Sequence, residues 1–165
     1  MLSSLQTLTD VDHKKAISKE IRNAHIAHEQ WVRHVKHLVE NLPVHKAMIP
    51  LSSTECDFGK WLYTTGMKYK AIPALTRIIF KIEQDHRDLH NIYLRIYKIY
   101  FLETQRSWAM NLFTSSRKKI TPEKHAEAVK YYQEMEKMSI WLIKSLDQLE
   151  SLLAKQKNET IAGVI

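Results

Sequence analysis

Apolar positions along residues 17–38 recur in steps that alternate between four and three: Ile17, Ile21, Ala24, then His28, then Trp31, Val35 and Leu38. That is the period of one face of a helix packed in a bundle. Thr9 and Asp10 offer caps at its start, and Leu42-Pro43 ends it. A loop rich in Val, Met and Pro runs through Ile49-Pro50. Ser52 with Glu55 then forms a capping box, which predicts a short second helix carrying Cys56 in its first turn, followed by Phe58, Trp61 and Leu62, with Gly66 to terminate it.

Pro73 suits the first turn of a third helix. Its stripe reads Leu75, Ile79, Ile82, His86, Leu89, Tyr93, Ile96 and Tyr100, and the pattern extends toward Phe113 with a break after Phe101. TSSRKKIT reads as a loop. Thr121-Pro122-Glu123 starts the last long helix with a cap and a proline at its first position. That helix packs through Ala128, Tyr132, Met135, Leu142, Leu146, Leu149 and Leu153. The expected architecture is all-α: an antiparallel four-helix bundle of three long helices and one short, cysteine-bearing helix. Residues 1–157 make a single bundle, and residues 158–165 read as a flexible tail.

Composition agrees. The chain has 165 residues, with 3 glycines and 4 prolines, which favours helices over strands. No apolar run reaches the roughly 18 residues a membrane span needs, and MLSSLQTLTDVDHKK lacks a basic-then-apolar signal. A single cysteine excludes an internal disulfide and fits a reducing compartment, so the expected location is the cytoplasm, without membrane insertion. The net charge of +7 is scattered along the helices, with one local cluster at Arg117, Lys118 and Lys119. No aromatic-basic repeat accompanies it, so it reads as a solvated surface and no nucleic-acid partner is expected. The chain has no phosphate loop, nucleophile elbow or HExxH motif, and is not expected to be an enzyme.

Histidine changes the picture. There are 9, and His25, His28, His34, His37 and His45 fall close together. His28 and His86 occupy positions on apolar stripes, where an unpaired polar group costs about 1–3 kcal/mol. His90 lies one turn after His86 on the same face. Taken singly, each histidine is explained by a hydrogen bond to a backbone carbonyl, and Cys56 by a small buried side chain. Taken together, three imidazoles and one thiolate make a complete tetrahedral set for zinc. Cys56 near a helix start also places the thiol where the dipole favours the thiolate.

His28-x-x-Trp31, the block Cys56-x-Phe58-Gly59-Lys60-Trp61-Leu62-Tyr63, and His86-x-x-x-His90 resemble the chemoreceptor zinc-binding domain family, a bacterial helical-bundle module. Leu89 stands where that family often has an aromatic residue, Thr64-Thr65 precede Gly66, and the stretch from about Tyr100 to Thr121 is longer than usual. The resemblance implies one zinc ion per chain, held by His28, Cys56, His86 and His90. Trp31, Phe58, Gly59, Trp61 and His25 are the residues expected to surround or position those ligands. It also implies regulation of bacterial chemotaxis or cyclic-dinucleotide signalling by zinc or by an oxidant such as hypochlorous acid, through movement of the Cys56 helix. With no signalling domain expected in the chain, the output would pass to a separate chemoreceptor or diguanylate cyclase type of protein, and a homodimer is expected. Two other readings remain at this stage. One is a di-iron, hemerythrin-like oxygen-binding bundle, with footing in His25-x-x-x-Glu29, Glu83-x-x-His86 and His86-x-x-x-His90. The other is a metal-free protein-interaction bundle using Arg117 to Lys119.

Overall fold

A computed structural model describes residues 2–103 and 120–164. Helix α1 spans Leu2–Val39, α2 Asp57–Thr64, α3 Pro73–Tyr97, α4 Pro122–Ala154 and α5 Asn158–Ala162. A 3-10 turn at Gly66–Ala71 joins α2 to α3, and α3 passes into a π-helical turn at Lys98–Glu103. The expected extension of the third helix to Phe113, and the Arg117–Lys119 cluster, lie outside the described residues.

Cross-helix contacts give the direction of each rod. Lys14 Nζ donates to the carbonyls of Ala154 and Gln156, His28 meets Ser139, and His125 donates to Val39 O, so α1 and α4 run antiparallel. Trp31 stacks on His90 and Tyr100 Oη donates to Val39 O, so α1 and α3 run the same way. The long helices therefore form an all-α bundle in which α4 packs along both α3 and α1, and α2 lies against α1. Every position of the α1 stripe from Ile17 to Leu38 is buried, as are Leu75, Ile79, Ile82, His86, Leu89, Tyr93 and Ile96 of α3. The expected periodicity is thus the core.

The ends of the helices have identifiable causes. α1 begins at Leu2, ahead of the caps expected at Thr9 and Asp10. It stops because Asn41 takes a left-handed conformation at φ 58°, with Leu42 N donating to His37 O and Asn41 N to Leu38 O. That pair of bonds closes a Schellman motif, and Pro43 follows it. Thr121 caps α4 by accepting from Lys124 N, with Pro122 in the first turn. Gly66 does not end α2 by a left-handed turn, since no glycine has positive φ. Its lack of a side chain lets Leu62 and Trp61 close over it instead. The tail expected after residue 157 contains α5, whose Ile161 is buried beside Ile17 and Ile21 of α1 and Leu153 at the end of α4.

Candidate metal centre

The short helix starts later than expected. The capping box expected from Ser52 and Glu55 does not form. Ser52 Oγ accepts from Thr54 N in a local turn, and α2 begins four residues later than Ser53, at Asp57. Cys56 is itself the N-cap, with extended backbone at φ −69° and ψ 153°, and its Sγ accepts from Gly59 N at 3.2 Å. Sulfur thus takes the place that a serine or threonine oxygen usually fills. This pins the thiol toward the bundle, where it is 4 % exposed.

Gly59 is required by close backbone approach. A Cβ there would stand 1.7 Å from Ser53 O and 3.2 Å from Cys56 Sγ. The first of these is a clash with backbone, which cannot rotate away. The loop carrying Ser53 and the first turn of α2 are therefore in contact only because residue 59 has no side chain.

Sγ of Cys56 lies 3.2 Å from His86 Nε2. Cys56, His86 and His90 are all buried, and one ligand atom from each falls within 4.8 Å of the others. His90 Nδ1 is 2.9 Å from Leu51 O, which can only accept, so Nδ1 carries the proton and Nε2 bears the lone pair. That Nε2 is buried with no hydrogen-bond partner, as is His86 Nδ1. An imidazole whose far nitrogen is fixed by a carbonyl and whose near nitrogen is left over has the arrangement of a metal ligand. The thiol and two imidazoles suit a borderline-soft ion such as zinc.

His28, the fourth expected ligand, is buried beside this group without joining it. Its Nε2 is 2.9 Å from Ser139 Oγ on α4. Its ring lies 5.7 Å from that of Phe58 and 6.4 Å from that of Trp31. Among the surrounding residues, Phe58 packs on His86 at 4.6 Å and Trp31 stacks on His90 at 4.4 Å, so the two aromatics fix the planes of two candidate ligands. Trp61 packs on Phe58 and is half-buried. His25 turns elsewhere, with Nε2 3.6 Å from Glu29 Oε1. Lys60 is exposed and bonds Asp57.

Burial dominates the electrostatics. It lowers His28 to about 3, His86 to about 2 and His90 to about 4, with His25 and His90 adding repulsion at His28, and His90 and His28 at His86. All three rings are therefore neutral at pH 7, as ligation requires. The thiol goes the other way. Burial raises Cys56 to about 11, outweighing the Gly59 N–H bond that favours the thiolate. The start of an eight-residue helix does not activate this sulfur on its own. A divalent cation would invert the balance, because it is the largest charge in such a site.

Two contributors escaped the sequence reading. Ser139 completes the α4 stripe between Met135 and Leu142, at the step of four and three that the neighbouring residues keep. A buried serine on that stripe, facing a buried histidine, was the available signal. Tyr93 was assigned to the core, where it is, but its Oη also donates to Ile49 O at 3.1 Å. The di-iron reading finds no support in the geometry. Glu29 faces His25 and Glu83 faces Arg87, and among the described residues the only metal-competent group is Cys56, His86 and His90.

Residues 28–97 match the family model of the chemoreceptor zinc-binding domain, a stretch that opens at His28 and takes in Cys56, His86 and His90. No curated protein and no solved structure matches the chain significantly.

Proposed function

We propose, from the match of residues 28–97 to the chemoreceptor zinc-binding domain family, that the chain is a sensory module holding one zinc ion through Cys56, His86, His90 and His28. The observation that carries this reading is the convergence of Sγ and two buried imidazoles, with His90 Nε2 left unpartnered while its Nδ1 is tied to Leu51 O. Bound zinc would supply a cross-link between α1, the start of α2 and α3. His28, whose Nε2 faces Ser139, would turn to the ion as the fourth ligand; a shell closed in that way suits sensing or structure and leaves no position for a hydrolytic water. On that reading the module acts by changing shape.

The chain's own residues define what can move. Phe58 and Leu62 are 1 % and 0 % exposed, so α2 brings more apolar surface to the bundle than its length suggested. Each such side chain contributes about 1.5–3 kcal/mol of docking. Cys56 sits at the edge of that patch and is joined to the core through the thiol. Removing zinc, or oxidising the thiol, then frees the N-terminal end of α2 and the loop before it, with the Phe58–Leu62 end held more firmly. The changed surface is read by a second protein of chemoreceptor or diguanylate cyclase type, in the cytoplasm, and the stimulus is zinc or an oxidant such as hypochlorous acid. A homodimer fits the family. Tyr93 and Tyr97 are core residues at 0 % and 7 % exposure and are not offered to a second copy.

Amide hydrogen exchange with and without a chelator tests the switch. Faster exchange across residues 52–66 after zinc removal supports it; unchanged exchange there removes it.

A further inference from the structure

Three successive carbonyls of the loop ahead of Cys56 are each held by a ring donor. Tyr93 Oη donates to Ile49 O at 3.1 Å, Trp31 Nε1 to Pro50 O at 3.4 Å and His90 Nδ1 to Leu51 O at 2.9 Å. The donors are themselves stacked. Trp31 lies 4.4 Å from the His90 ring and 5.4 Å, edge to face, from Tyr93. Two residues beyond the third carbonyl, Ser53 O rests against Gly59 and lies 3.7 Å from Cys56 Sγ. The path from clamp to sulfur is thus short and in contact at each step.

We propose that Tyr93 is a positioning residue of the metal centre, whose hydroxyl, by holding Ile49 O, sets the loop from which Cys56 reaches the ligand group. This rests on the zinc reading above. Of the three donors Tyr93 alone can be tested cleanly. His90 is a proposed ligand and Trp31 fills core volume, whereas Tyr93→Phe removes one oxygen and keeps the ring. Both the tyrosine and Ile49 are at most 2 % exposed, so water cannot readily replace the lost bond.

The experiment compares wild type, Tyr93→Phe and Tyr132→Phe. The last removes a hydroxyl that meets Glu136 on the exposed side of α4. Zinc affinity is measured by competition with a chromogenic chelator, cobalt is titrated to follow the thiolate-to-metal charge-transfer band, and amide exchange is measured on chelator-treated protein. For Tyr93→Phe the expected result is zinc binding roughly threefold to tenfold weaker, from the loss of one net hydrogen bond. The cobalt band should keep its position but saturate at higher metal concentration. Exchange should rise across residues 49–56 and stay unchanged in the α3–α4 core. Tyr132→Phe should match wild type in all three. Wild-type affinity and exchange in Tyr93→Phe would overturn the proposal, as would equal effects of the two variants. A wild-type chain that takes up no zinc overturns the metal reading, and the exchange measurement on chelator-treated protein then still decides whether Tyr93 holds the loop.

Discussion

Ser53 O occupies the place where a side chain at Gly59 would have to go, 1.7 Å from the position of its Cβ. The loop and the first turn of α2 touch backbone to backbone, and the Cys56 thiol lies between them, bonded to Gly59 N. Gly59→Ala forces these two segments apart. The expected cost is about 1–3 kcal/mol of stability, with zinc affinity falling along with it. Thermal melts and zinc competition on the same preparation check both. An alanine variant with wild-type melting and wild-type zinc binding would contradict the contact.

Ser139 gives a second prediction. His28 is 1 % exposed and its Nε2 meets the Ser139 hydroxyl. Ser139→Ala leaves that nitrogen buried and unpaired, at an expected cost of about 1–3 kcal/mol. Ser139→Thr keeps the hydroxyl and should recover part of the loss. Urea midpoints of the chelator-treated protein measure this, and an alanine variant as stable as wild type would show that the bond contributes nothing.

The neutral histidines set the pH dependence. Burial puts His28, His86 and His90 at about 3, 2 and 4 in the folded chain, all below the ordinary 6.5. Unfolded histidines therefore take up protons first as pH falls. Stability is full above about pH 6.5 and declines below it, through pH 4 and on toward the lower two values. The slope reaches as much as about 1.4 kcal/mol per pH unit for each histidine. Urea midpoints of chelator-treated protein at pH 7.5 and pH 5 should differ clearly. Equal midpoints would mean that the rings are solvated.

Much of this was legible in the chain. The α1 and α3 stripes at four-and-three spacing marked both long helices and exposed His28 and His86 as polar residues on apolar faces. Thr121-Pro122 gave the start of α4 correctly, because a cap and a first-turn proline are local signals. The start of α2 was misread for the same reason in reverse. Ser52 and Glu55 satisfy a local rule, but the helix starts where the Sγ of Cys56 meets Gly59 N, and sulfur is not among the usual caps. The bond from Tyr93 to Ile49 O joins residues 44 apart, and the one from His28 to Ser139 joins residues 111 apart. No periodicity encodes such pairs; they follow from how the helices pack.

The thiol is the ligand whose removal is most telling. Cys56→Ser keeps a cap oxygen for Gly59 N while replacing the soft anionic donor. It should leave the helix content unchanged by circular dichroism and weaken zinc by more than the roughly 10–100-fold expected from losing a mere supporting contact. A serine variant binding zinc within about tenfold of wild type would place the ion elsewhere.

The central claim is tested most directly by the metal content of purified wild-type protein beside Cys56→Ala. The account predicts close to one zinc per wild-type chain and a loss of nearly all of it in the variant. Wild-type protein without zinc, or a variant that retains its full complement, would contradict it.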